Sequence, residues 1–273
     1  LNKAIGVIDS GVGGLTVVHE LMRQLPKESL IYLGDTLRCP YGPRSEEEIK
    51  KFTWEMADFL LQKNIKLLVV ACNTATAFTL EELQQQLSIP VIGVIKPGAR
   101  AAVKFTTNSH IGVIGTEGTI RSNAYTKALK SIDTGIHVNP LACPLFVPMV
   151  EQGMLSGAEA EEMVEETLSP MKEQSHIDTL ILGCTHYPLI KDTIQKVISS
   201  QVKVISSSEE TAREVSTILE FYDQLNEGEK SPAHRFYTTG EMGVFAKITE
   251  GIFKESADYF ESVTIEKAVL LYY

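Results

Sequence analysis

Two cysteines carry the chemistry this chain is best placed to do. Cys72 closes the run Leu67-Leu68-Val69-Val70-Ala71 and is followed by Asn73-Thr74. Cys184 closes Thr179-Leu180-Ile181-Leu182-Gly183 and is followed by Thr185-His186. Short continuous apolar runs of this kind fit strands buried on both faces of a parallel sheet. The carboxyl ends of such strands are where open α/β sheets place their ligands. A lone thiol there is as readily an inert packing residue, since free Cys behaves as a small hydrophobe. A matched pair means more. Thiols on opposite sides of one ligand can take a proton from one face of a carbon and return one to the other face, as inversion of a stereocentre requires. Their ordinary pKa of ~8.5 can be tuned toward working pH.

A Cα proton is very weakly acidic, so the thiols need helpers. Asp9 ends the first strand pattern and is placed to adjust the protonation of Cys72. His186 stands two residues after Cys184; a lone His is as often structural, but this position favours function. Glu151 is either a surface charge or an acid acting through a neighbour. Ser10, Tyr41, Gly42, Asn73, Thr74, Thr116, Thr119 and Thr185 offer hydroxyls, an amide side chain or backbone N–H groups to a charged ligand. Pro40, with Tyr41, Gly42 and Pro43, fixes a loop that reads as a turn or as a substrate-facing wall. No lysine carries a pyridoxal motif. The glycine turn Gly11-Val12-Gly13-Gly14 fits neither the dinucleotide nor the P-loop pattern. A cofactor-free mechanism is the economical expectation.

The elements that must hold these residues alternate strand and helix. Ala4–Ile8, Leu30–Leu33, Leu67–Ala71, Pro90–Val94, Ile111–Ile114, Thr179–Leu182, Val202–Ile205 and Phe236–Thr239 read as strands. Helical spacing falls at 15–25, 45–64, 81–87, 99–105, 125–129, 158–171, 190–198, 209–225 and 244–252, with a Ser45/Glu48 capping box opening the second. Lys96-Pro97-Gly98 reads as a crossover, and apolar 268–273 as a closing segment. Within this pattern lies a duplication. Ile5-Gly6-Val7-Ile8 recurs as Ile111-Gly112-Val113-Ile114, Cys39-Pro40 as Cys143-Pro144, and the strand before Cys72 as the strand before Cys184, 112 residues on. Two similar α/β units, their strand ends turned toward a shared cleft, would bring the two thiols to one ligand. Cys39 and Cys143 precede prolines outside the strand runs and read as packing residues.

The chain of 273 residues can form one large or two smaller domains. A net charge of −10 argues against nucleic acid or an anionic membrane as the main partner. The four cysteines form no CxxC, so neither a zinc ribbon nor any other metal site is expected. No apolar run approaches the ~20 residues that span a bilayer. The N-terminal residues enter a strand pattern directly, and the cytosol is the expected compartment.

At Asp9-Ser10-Gly11-Val12-Gly13-Gly14-Leu15, Gly34-Asp35-Thr36 through Pro40-Tyr41-Gly42, Ala71-Cys72-Asn73-Thr74-Ala75 and Gly183-Cys184-Thr185-His186-Tyr187-Pro188 the chain resembles the cofactor-independent glutamate racemases, over nearly its whole length. The resemblance implies two similar flavodoxin-like open-sheet α/β domains related by pseudo-twofold symmetry, with the active site in the cleft between them. Residues 1–97 with 207–273 would form the first domain and 98–206 the second. It implies that Cys72 and Cys184 are the paired acid and base, Cys72 serving D-glutamate and Cys184 L-glutamate. Asp9-Ser10, Tyr41-Gly42, Asn73-Thr74 and Thr185-His186 would hold the substrate. It implies a cytoplasmic homodimer supplying D-glutamate for peptidoglycan. Three other readings stay open: a racemase of aspartate or another amino acid on this fold, a two-lobed binding protein for a dicarboxylic ligand, and a thiol redox protein with Cys72 and Cys184 as its disulfide.

Overall fold

A computed structural model describes residues 3–174, 176–228, 232–253, 263–268 and 270. The short apolar runs become strands: β1 (Ile5–Asp9), β2 (Leu30–Gly34), β3 (Leu67–Val70) and β4 (Val91–Gly93) are buried throughout. A strand with no polar alternation can be satisfied only between two layers of helix, and all pairings here are parallel. Two further parallel strands, β9 (His234–Thr238) and β10 (Val263–Lys267), extend this sheet, giving the order β10-β9-β2-β1-β3-β4.

A second sheet holds β5 (His110–Gly115), β6 (His137–Ala142), β7 (Thr179–Gly183) and β8 (Lys203–Ser206) in the order β6-β5-β7-β8. That order repeats β2-β1-β3-β4, so the duplication in the sequence is a duplication of topology. Its two IGVI runs are the inner strands β1 and β5. Cys72 and Cys184 each follow the strand beside them, with Ile8 opposite Val70 and Ile114 opposite Leu182. Strand β6 carries Pro140, tolerated because β6 is an edge.

Helices α1 (Leu15–Gln24) and α10 (Ser207–Phe221) cover one face of the first sheet. Leu15, Val18 and Leu21 share a core with Val7, Val69, Ala212, Val215 and Leu219. Each of these valines and leucines contributes about 1.5–3 kcal/mol when fully buried. Helix α10 ends at Phe221, short of the expected 225, because Asp223 takes a left-handed backbone (φ 53°). On the other face, Ala268 and Leu270 pack with Ile8, Leu33, Leu60 and Tyr237. Thus the described part of the closing segment meets the first sheet; residues 269 and 271–273 lie outside the described residues.

Three local expectations change. Lys96-Pro97-Gly98 lies in the expected crossover from the first sheet to the second, but as the helical first turn of α4 (Ile95–Phe105). Proline costs little in a first turn, where its missing N–H has no helical partner. Helix α3 runs Asn73–Gln86 and starts eight residues before the expected Glu81, because its first turn is buried all round and has no polar face to give a period. A short helix, α5 (Glu117–Arg121), follows β5 with Thr116 as its N-cap. Among the described residues, no helix is long and apolar enough to cross a membrane.

Candidate active site

The loops after β1, β3, β5 and β7 meet around a narrow cavity. Ser10, Cys72, Asn73 and Thr74 line it from the first sheet, and Thr116, Cys184, Thr185 and His186 from the second. The Pro40-Tyr41-Gly42 loop and Val147 close its sides. Asp9, Thr119 and Glu151 stand behind this lining and bond to residues that form it.

The two thiols have different surroundings. Cys72 is 5 % exposed and is the N-cap of α3, its Sγ accepting the Ala75 N–H at 3.4 Å. Its Sγ is also 3.4 Å from the Ser10 hydroxyl. Burial, aided by the charge of Asp9, pushes the Cys72 thiol up to about 12, against these two hydrogen bonds. Cys184, 6 % exposed, has its Sγ 3.8 Å from His186 Nδ1. His186 Nε2 in turn lies 2.6 Å from Glu151 Oε1. Burial alone would lower the imidazole, but its bonds to Cys184, Cys39 and Glu151 outweigh burial and hold it well above the ordinary range. Burial works against the Glu151 carboxylate too, yet the His186 bond and charge bring it below its usual value. The pair is therefore imidazolium and carboxylate at neutral pH.

Asp9 is fully buried at the end of β1 and joins the two walls. It accepts the Gly11 N–H at 3.0 Å and the Thr185 hydroxyl at 3.1 Å. Burial raises its carboxyl despite the opposing His186 charge and these donors. Opposite, Thr74, Thr116 and Thr119 form a hydroxyl triangle with edges of 2.8, 3.2 and 3.0 Å. Asn73 accepts the Tyr125 hydroxyl at 2.6 Å, which leaves its buried amide Nδ2 without a protein partner. A buried unsatisfied donor at a cavity wall is a place for a ligand oxygen.

The Tyr41 hydroxyl does not reach the cavity. It donates to Asp35 Oδ2 at 2.5 Å, in a buried network where Arg38 bonds Asp35 and Glu55 and lies 3.9 Å over the Phe52 ring. Tyr41 thus anchors the loop, and the ring and loop backbone are what it presents. The glycine turn also acquires a reason. A Cβ on Gly13 would sit 2.5 Å from Thr185 Oγ1 and 2.8 Å from the His186 backbone nitrogen, so glycine lets the β1 and β7 loops touch.

Two site residues escape sequence reasoning. Val147 is one apolar residue among many in 145–150. Cys39, expected to be a packing residue, has its Sγ 3.8 Å from Glu151 Oε1 and also bonds His186. Its position before Pro40 gave no sign of this. Cys143 is buried in the second core cluster, as expected. All four cysteines are free thiols, so the structure contains no Cys72–Cys184 disulfide.

A family model described as Asp/Glu/hydantoin racemase matches residues 5–215. A glutamate racemase of Oceanobacillus iheyensis is 65 % identical over 268 residues, covering 98 % of this chain and 97 % of the relative. The crystal structure of glutamate racemase isoform RacE1 from Bacillus anthracis matches with a TM-score of 0.91 at 51 % identity, covering 98 % of each chain. That of the Francisella tularensis glutamate racemase in complex with D-glutamate matches with a TM-score of 0.88 at 37 % identity, covering 99 % of this chain and 98 % of that one. The cleft between two matched parallel sheets is thus shared with enzymes that are isomerases, and the chain belongs to the glutamate racemases of the Asp/Glu/hydantoin racemase family.

Proposed function

We propose that the chain interconverts L- and D-glutamate without a cofactor, with Cys72 and Cys184 as the two acid/base groups. The observation that carries this reading is that one cavity is lined by one strand-end thiol from each sheet. In the L-to-D direction Cys184 acts as a thiolate, held by the neighbouring His186 imidazolium, and becomes a thiol as it takes the Cα proton. Cys72, a protonated thiol at neutral pH, delivers a proton to the other face. L-to-D turnover leaves Cys72 as the thiolate and Cys184 as the thiol, and the reverse reaction begins from that state. Asp9 and Ser10 serve Cys72, while His186 and Glu151 serve Cys184. The unpartnered Asn73 amide, the Thr74–Thr116–Thr119 hydroxyls, Thr185 and the Pro40-Tyr41-Gly42 backbone hold the two carboxylates. Donors fixed before the reaction are what stabilise a developing carbanion in a water-poor site.

The two structural units of this reading are 1–97 with 207–273 and 98–206. It further places the enzyme in the cytoplasm as a homodimer whose product feeds peptidoglycan. The test is incubation of each glutamate enantiomer in D2O, followed by chirality and Cα deuterium content, beside a panel of other amino acids. Loss of optical rotation with deuterium in the product supports the reading. Binding without exchange favours a binding protein, and activity confined to aspartate would replace the substrate.

A further inference from the structure

We infer that Cys39, Glu151 and His186 form a binding site for a zinc-class divalent cation. These residues come from three loops: Cys39 after β2, Glu151 from the turn of helix after β6, and His186 after β7. One ligand atom from each, a sulfur, a carboxylate oxygen and an imidazole nitrogen, lies within 4.8 Å of the other two. Tetrahedral zinc with bonds of ~2.0–2.3 Å sets its ligand atoms roughly 3.2–3.7 Å apart. The sulfur and the oxygen are already 3.8 Å apart, and the 2.6 Å His186–Glu151 contact has only to open as the proton between them leaves.

The donor set chooses the metal. Thiolate and imidazole select zinc, cobalt and copper over magnesium and calcium. A Cys39 thiolate and the Glu151 carboxylate neutralise a divalent ion in a buried place where net charge is costly. Glu151, 30 % exposed, and half-buried Cys39 leave a route from solvent. On binding, the Cys39 S–H bond and the His186 Nε2–H bond break, S–metal and N–metal bonds form beside the carboxylate bond, and two protons pass to the buffer. The ion then replaces the proton that His186 shares with Glu151. It fixes the ring by the nitrogen opposite the one facing Cys184, so it inhibits the enzyme; this consequence rests on the role proposed above for His186.

Cobalt(II) is the probe, because a cobalt–thiolate bond gives a charge-transfer band in the near ultraviolet. One equivalent added to the intact enzyme is expected to produce the band, and zinc to displace it. Cys39→Ser should abolish the band and weaken zinc at least about tenfold, a loss typical of a damaged metal site. Glu151→Gln should weaken zinc while keeping the band, and Cys184→Ser and Cys72→Ser should keep both. Absence of the band, its survival in Cys39→Ser, or its loss in Cys184→Ser would overturn the site. A band in the wild type without loss of racemisation supports the site and counts against the role given to His186 instead.

Discussion

The walls of the cleft repeat one plan with different chemistry. On both, a buried parallel strand beside the central strand ends in cysteine and two polar residues. In the first wall that cysteine caps a helix of 14 residues and meets neutral partners, the Ala75 amide and the Ser10 hydroxyl. In the second it precedes a single 3₁₀ turn and meets an imidazolium held by a carboxylate. Duplication supplies two thiols at equivalent places, and divergence of their neighbours gives them different surroundings. A substrate with two enantiomers needs both properties: opposed positions, and a way for one thiol to be base while the other is acid.

The most severe test of this division is to disable one thiol at a time. Cys72→Ser and Cys184→Ser should each lower racemisation by about 10²–10⁴, the usual worth of a positioned acid or base. With a 3-halogenated glutamate, which needs proton removal on one face only, the first variant should still release halide from the L-isomer and the second from the D-isomer. Chiral chromatography and halide release read both effects. If either variant racemises normally, or both act on both isomers, the two-thiol division is wrong.

A gentler test removes the asymmetry and keeps the thiols. Glu151→Gln deprives His186 of its charged partner, so the imidazole should fall toward its ordinary ~6.5. A raised pKa keeps the cation at neutral pH and loses it only as pH climbs through the raised value. In the variant that loss occurs at lower pH. The alkaline limb of kcat/KM for L-glutamate should therefore move to lower pH, with a fall in the value read at pH 8. The D-glutamate profile should move less. Equal shifts in both directions would mean that the pair serves the whole site and not Cys184.

How much of this was legible follows from how each residue signals itself. Continuous runs such as Leu67–Ala71 announce buried strands because parallel sheets tolerate no polar alternation. The repeated IGVI and the strand-end cysteines then place both thiols before any coordinates are known. The contacts that distinguish them were hidden. Cys39, Glu151 and His186 come together from three loops, and no local period records a meeting of loops. Asp35, Arg38 and Glu55, which hold Tyr41 and its loop, are separated in sequence by a proline-rich turn and most of a helix. The start of α3 was obscured because Asn73-Thr74-Ala75-Thr76 is buried on every side, and amphipathic spacing exists only where a helix has a wet face.

The contact between the walls can be tested at Gly13. Gly13→Ala puts a methyl group 2.8 Å from the His186 backbone nitrogen, which cannot turn aside as a side chain does. The β7 loop must shift, and overpacking of this kind costs about 1–3 kcal/mol. Displacement of His186 from Cys184 should lower L-to-D turnover more than the change in thermal midpoint alone would suggest. Unchanged turnover and midpoint would show that the loops yield freely and that the glycine is not there for close approach.

The smallest effect lies where the sheets differ most, in the two strands that only the first possesses. His234 opens β9, and its Nδ1 accepts the Leu30 N–H of β2 at 3.3 Å, so the ring must stay neutral to hold the extension in place. Burial lowers its pKa from 6.5 to about 4. A histidine lowered on folding contributes stability above its unfolded pKa and loses it as pH falls from about 6.5 to about 4, because the unfolded chain takes up the proton first. Between pH 7 and pH 5 this amounts to at most about 2 kcal/mol. His234→Gln keeps an acceptor for Leu30 and removes the titration. Denaturant unfolding at the two pH values should show less acid destabilisation in the variant, with glutamate turnover at pH 8 unchanged. An equal acid loss in both proteins would mean that other groups, the buried carboxylates of the cleft among them, set the acid limit. It would also mean that the extension adds no pH sensitivity of its own.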